Sequence, residues 1–103
     1  MSDEVSPQEE MNDVRRVIDD LDDQIVALLA LRQRQIERAA RVKPELGIPA
    51  RAPERVEEVL ARVLGAARRE SLSVELALNL WTQIIEWSIS YEERLMGTRA
   101  PKG

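Results

Sequence analysis

The chain contains no cysteine, no histidine and no phenylalanine. The first two absences together remove disulfides, thiol nucleophiles, imidazole bases and the usual zinc sites. Aromatic residues make up only 3%, so the core has to be built from leucine, isoleucine, valine and alanine, a palette that suits helices. Glycine is scarce as well, at 4 of 103 residues, which leaves long stretches without a breaker. No apolar run approaches membrane-spanning length, and the acidic segment Met1 to Met11 lacks the apolar stretch of a signal peptide. A cytoplasmic location is therefore expected. A length of 103 residues allows one small domain, 1–103, whose modest core would profit from a partner subunit.

Charge of one sign does not dominate, but it is unevenly spread. Residues 1–31 carry −7, residues 32–55 carry +4, and residues 56–103 carry −1, for a net −4. The positive block holds Arg32, Arg34, Arg38, Arg41, Lys43, Arg51 and Arg55. Nucleic acid would call for a basic chain with a continuous basic face, and this chain has neither. A local cationic patch on an acidic protein fits a small anion better, or else a solvated helix face.

Prolines and one glycine divide the rest into three helical stretches, so an all-α fold is expected. From Ser6 to Lys43 the one breaker is Pro7, which a first helical turn tolerates. Val14, Ile18, Leu21, Ile25 and Leu28 step by four and three, a coiled-coil-like seam. Pro44 should end or bend this helix. The stretch from Pro44 to Pro53 reads as a connector. A second helix is predicted over about 53–69, with Val56, Val59, Leu60 and Val63 inward. Ser71 and Ser73 offer caps for a third, over about 74–96, that stops at Gly97, and the termini should fray. The first helix, at about 36 residues, would be roughly 54 Å long. A compact domain of this size is only about 33 Å across. The seam therefore outruns what one chain can cover, and a two-fold dimer is the simplest closure.

Several polar residues fall where apolar ones are expected. Arg32 prolongs the line of Ile25 and Leu28, and Lys43, eleven residues on, lies only about 20° from it around the helix. Arg15 points elsewhere, toward a neighbouring subunit. In the third helix Leu78, Trp81, Ile85, Ser88 and Glu92 form one stripe, so Ser88 and Glu92 also face inward. Buried charges are costly unless paired or used on a ligand. The plainer account is that Arg32 and Lys43 snorkel and Glu92 pairs with one of them. Arg55, at the start of the second helix, adds a third cation. Such a cluster suits a ligand with two carboxylates and could stabilise negative charge developing on an oxygen.

The segment Arg15-Arg-Val-Ile-Asp-Asp-Leu-Asp-Asp-Gln-Ile-Val-Ala-Leu-Leu-Ala-Leu-Arg32 resembles the opening of the all-helical chorismate mutases. The resemblance continues through Arg41-Val-Lys43, Gly47-Ile-Pro49, Pro53-Glu-Arg55-Val and Leu80-Trp-Thr-Gln-Ile-Ile-Glu-Trp-Ser88, covering roughly residues 12–96. It implies an intertwined homodimer of three-helix chains with a long first helix. It implies too that no cofactor, metal or covalent intermediate is used. Chorismate would be held compactly and rearrange to prephenate in one pericyclic step, by conformational restriction and electrostatics. Carried over by position, Arg15 would reach in from the other subunit and Arg32 would hold a carboxylate. Lys43 and Glu92 would flank the breaking ether oxygen, while Arg55 and Ser88 would orient the substrate.

Three positions depart from that pattern. Val56 stands where many mutases have a glutamate that bonds the ring hydroxyl, so it would line the ring pocket without an acceptor. Ala52 replaces an acidic loop residue, and Glu92 stands where bacterial members often have glutamine. The Pro53-Glu-Arg-Val run and the Ile-Ile-x-Trp segment are similar to the isochorismate pyruvate lyases of salicylate formation. Valine and glutamate at the Val56 and Glu92 positions occur also in mutases of 4-amino-4-deoxychorismate. Those two activities, and a non-catalytic helical dimer, stand as alternatives to chorismate mutase.

Overall fold

The computed structural model describes residues 6–99. Its elements are helices α1 (Pro7–Leu46), α2 (Pro53–Arg69) and α3 (Val74–Arg99), and no strand occurs among the described residues. No helix there is long and apolar enough to cross a membrane. Part of the expected fraying, at 1–5 and 100–103, lies outside the described residues.

Each helix start has a local cause. At α1 the Ser6 hydroxyl oxygen accepts the Glu9 N–H at 3.1 Å and donates to the Glu9 carboxylate at 3.0 Å. Pro7 follows at the first helical position, where its missing N–H costs nothing. At α2 Pro53 plays the same part, but the cap residue Ala52 is extended (φ −115°, ψ 99°) and has no side chain to bond the first turn. At α3 Ser73 Oγ accepts the Leu76 N–H at 3.1 Å.

The helix ends correct three expectations. Pro44 does not end α1, which continues to Leu46. Proline there removes one hydrogen bond in the last turn, and the chain closes directly behind it. The N–H groups of Gly47 and Ile48 bond the carbonyls of Pro44 and Lys43 at 3.2 and 2.9 Å, with Gly47 left-handed at φ 69°. Ser71 does not cap α3. It takes the corresponding left-handed position (φ 58°) after α2, with its own N–H and that of Leu72 bonding Arg68 and Ala67 at 3.3 and 2.8 Å. Gly97 does not stop α3, because it stays at negative φ and the helix runs on to Arg99.

The chain divides into two units, Met1–Arg34 and Gln35–Gly103. In the second unit α2 packs on α3. Ala50, Ile85 and Ile89 form its buried cluster, with Val56, Val59, Leu60 and Met96 against it. Ala67 and Ala77 are buried too, and such small residues bring backbones close. Ala77 takes the inward place expected of Leu78, which is 43% exposed. In the first unit the seam residues Val14, Ile18, Leu21, Ile25 and Leu28 are all exposed within the chain.

Candidate active site

The inward stripe of α3 runs Ala77, Trp81, Ile85, Ser88 and Glu92, and its last two members are polar. Glu92 is 4% exposed and Ser88 5%. Helical periodicity puts them in line with Ile85, so their burial follows from the packing of α3 on α2. The Ser88 hydroxyl donates to the Ile84 carbonyl of the preceding turn at 2.7 Å.

Burying the Glu92 carboxyl requires a partner, and the end of α1 supplies it. Lys43 Nζ lies 2.6 Å from Glu92 Oε1. The same ammonium donates to the backbone carbonyl of Ala50, in the connector, at 3.0 Å. Lys43 is thus held from two sides, and of its three N–H donors two are engaged. The expected pairing of Glu92 with one of the cations is realised with Lys43. No buried side-chain nitrogen or oxygen among the described residues lacks a hydrogen-bond partner.

Two other expected residues, Arg55 and Val56, lie on α2. Val56 is half-buried and packs on the Ala50, Ile85 and Ile89 cluster. Arg55 is exposed and bonds Glu58 one turn on in α2. In the first unit Arg32 is half-buried and Arg15 is exposed.

Five groups escaped the sequence-based reading. The Ala50 carbonyl is a backbone group, which no residue pattern advertises. Arg51 and Glu86 form a bidentate ion pair between the connector and α3, at 2.9 and 2.6 Å. Arg51 is visible only as one of seven cations, and Glu86 as one exposed acid in the Ile-Ile-Glu-Trp segment. The Tyr91 hydroxyl donates to Glu37 of α1 at 2.7 Å. Among the described residues no three His, Cys, Asp or Glu side chains converge as a metal site would require.

A half-buried ammonium against a buried carboxyl offers one cationic donor and one group able to accept, or when protonated to donate, beside it. That combination can polarise an oxygen of a small anionic ligand without nucleophile or redox centre.

Comparison with known proteins places the chain in a family. Residues 14–93 match the chorismate mutase type II family, a stretch that includes Arg15, Arg32, Lys43, Arg55, Ser88 and Glu92. The chain is similar to a chorismate mutase of Methanocaldococcus jannaschii, 24% identical over 88 residues, covering 85% of this chain and 89% of that protein. It is also 27% identical over 90 residues to a bifunctional chorismate mutase/prephenate dehydratase of Aquifex aeolicus, covering 84% of this chain and 25% of the larger protein. The match spans most of the chain and accords with its all-helical architecture, and the chain belongs to the chorismate mutase type II family.

Proposed function

We propose that the protein is a chorismate mutase, converting chorismate to prephenate in one pericyclic step. The observation that carries this is the Lys43–Glu92 pair at 2.6 Å, with Glu92 almost fully buried. Apolar residues of similar volume commonly serve a core as well as a buried ion pair does. The pair is better explained by chemistry than by stability. In the rearrangement the carbon–oxygen bond of the ether breaks as a new carbon–carbon bond forms, and negative charge builds on the ether oxygen. The Lys43 ammonium meets that charge. Glu92 assists at the same oxygen in its protonated form, since a carboxylate only accepts hydrogen bonds. Arg32 holds a substrate carboxylate, and Arg55 and Ser88 orient the molecule. Arg15 comes from a second copy of the chain in a homodimer, with the exposed α1 seams of the two copies covering one another.

Val56 favours a second reading at the level of substrate. Half-buried and apolar, it offers the ring substituent no acceptor, which fits isochorismate or 4-amino-4-deoxychorismate as well as chorismate. Incubating the protein separately with the three dianions and identifying the products decides among them. Prephenate from chorismate, at the highest kcat/KM of the three, is the expected result. Salicylate and pyruvate from isochorismate at higher kcat/KM would replace the proposal with lyase chemistry.

A further inference from the structure

Beside the Lys43–Glu92 pair, the connector between α1 and α2 carries a second ion pair. Arg51 donates two parallel bonds to Glu86 of α3, Nη1 to Oε2 at 2.9 Å and Nη2 to Oε1 at 2.6 Å. The two side chains are 49% and 52% exposed. Exposed pairs contribute little to stability, but a bidentate fork fixes direction as well as distance. The hydrogen bond from Arg51 holds the Glu86 carboxyl below the usual carboxylate range, and the same bond raises Arg51, with Glu93 adding attraction. The pair therefore stays closed above the lowered Glu86 pKa and opens as pH falls through it.

The residue next to this fork bonds the proposed catalytic lysine. Ala50 is 7% exposed and wedged against Ile85 and Ile89, and its carbonyl accepts from Lys43 Nζ at 3.0 Å. The backbone carbonyl of Lys43 accepts the Ile48 N–H at 2.9 Å, so the lysine holds the connector by main chain and side chain both. Helix α3 grips the connector through Glu86 and the lysine ammonium through Glu92, and Ala50 closes the ring between them. We propose that Arg51 and Glu86 are positioning residues: their fork keeps the Ala50 carbonyl against Lys43 and so aims the remaining N–H of the ammonium at the substrate. This rests on Lys43 serving the substrate as proposed above. With Glu92 and Ala50 fixed as acceptors, the direction of the third N–H follows from tetrahedral geometry. Without the fork the connector can swing, and the ammonium loses one of the two acceptors that orient it.

Lys43 and Lys102 are the only lysines in the chain. Limited acetylation with acetic anhydride, read by mass spectrometry, therefore reports Lys43 against an internal reference without any need for activity. In Arg51→Ala and in Glu86→Gln, Lys43 should be acetylated severalfold faster relative to Lys102 than in the unaltered protein. For the rearrangement, kcat should fall about tenfold with a smaller change in KM, because misplacing a reacting group is costly even at fractions of an ångström. Arg51→Lys keeps the charge but not the fork, and should behave as the alanine variant does. The exchanged pair, Arg51→Glu with Glu86→Arg, should return both labelling and kcat toward the original, a rescue that loss of surface charge or general loosening does not produce. Unchanged Lys43 labelling in Arg51→Ala of normal helicity overturns the proposal, and so does a failure of the exchanged pair to rescue folded but defective single variants. Should the unaltered protein act on none of the three dianions, the proposed activity falls, while the labelling still decides the fork.

Discussion

At the scale of single residues, Lys43 and Glu92 should respond differently to substitution. Lys43→Ala strands a carboxyl that is 4% exposed, and an uncompensated buried charge costs about 3–5 kcal/mol. Against a total stability of about 5–15 kcal/mol that is a large loss. Lys43→Ala is therefore expected to lower the melting temperature as well as turnover, and its inactivity alone says little about chemistry. Glu92→Gln is the cleaner test. Glutamine keeps an acceptor for Lys43 and carries a donor at every pH. The glutamine variant should therefore keep the fold and much of the turnover, and melting temperature and kcat measured side by side with the unaltered protein check this. A folded glutamine variant without activity would leave Glu92 as a structural partner of Lys43.

At the scale of elements, two helices end in the same closure with different residues in the left-handed position. Gly47 ends α1 at φ 69°, and a Cβ there would meet nothing within 4 Å. Gly47→Ala therefore costs only backbone strain, about 1 kcal/mol. Ser71 ends α2 at φ 58° and already bears that strain. Ser71→Gly should stabilise the protein by about 0.5–1 kcal/mol, since glycine relieves the strain but adds freedom to the unfolded chain. Urea unfolding of the two variants should show shifts of opposite sign. A destabilised Ser71→Gly protein would mean that the hydroxyl at this turn does more than occupy it.

At the scale of the molecule, the first unit leaves too much apolar surface uncovered to stand alone. Ten large apolar side chains from Met11 to Leu31 are 40% exposed or more, a run that a monomer rarely leaves to water. Covering the exposed half of each contributes about 1 kcal/mol per residue, so roughly 20 kcal/mol over two copies. Association costs about 4–15 kcal/mol, which this surface exceeds. The five seam residues alone, at roughly 10 kcal/mol, would not clear it securely, so an interface that also engages Val17, Val26, Leu29 and Leu31 is expected. Sedimentation at micromolar concentration should give a dimer, and Leu21→Glu with Ile25→Glu should shift it toward monomer. A monomeric unaltered protein would remove the proposed role of Arg15 together with the dimer.

The sequence by itself determined the helices and, but for Leu78, the inward faces of α2 and α3. These depend on periodicity and on caps, which are local: Val56, Val59 and Leu60, or Ile85, Ser88 and Glu92, are placed by the 3.6-residue turn before any other helix is considered. Lys43 and Glu92 were legible for the same reason, as charges standing on apolar stripes. The helix ends depart from the sequence pattern where two local signals compete. Proline at 44 and glycine at 97 both resemble stops, yet one lost bond near a helix end is cheap and glycine is tolerated at negative φ. Only the tertiary structure decided that Lys43 chooses Glu92 and the Ala50 carbonyl and that Arg51 forks onto Glu86. Partner choice among 34 charged residues depends on distances of a few ångströms set by how the connector folds back. A carbonyl bears no residue identity, and an arginine in a loop has several acids within reach until packing removes all but one.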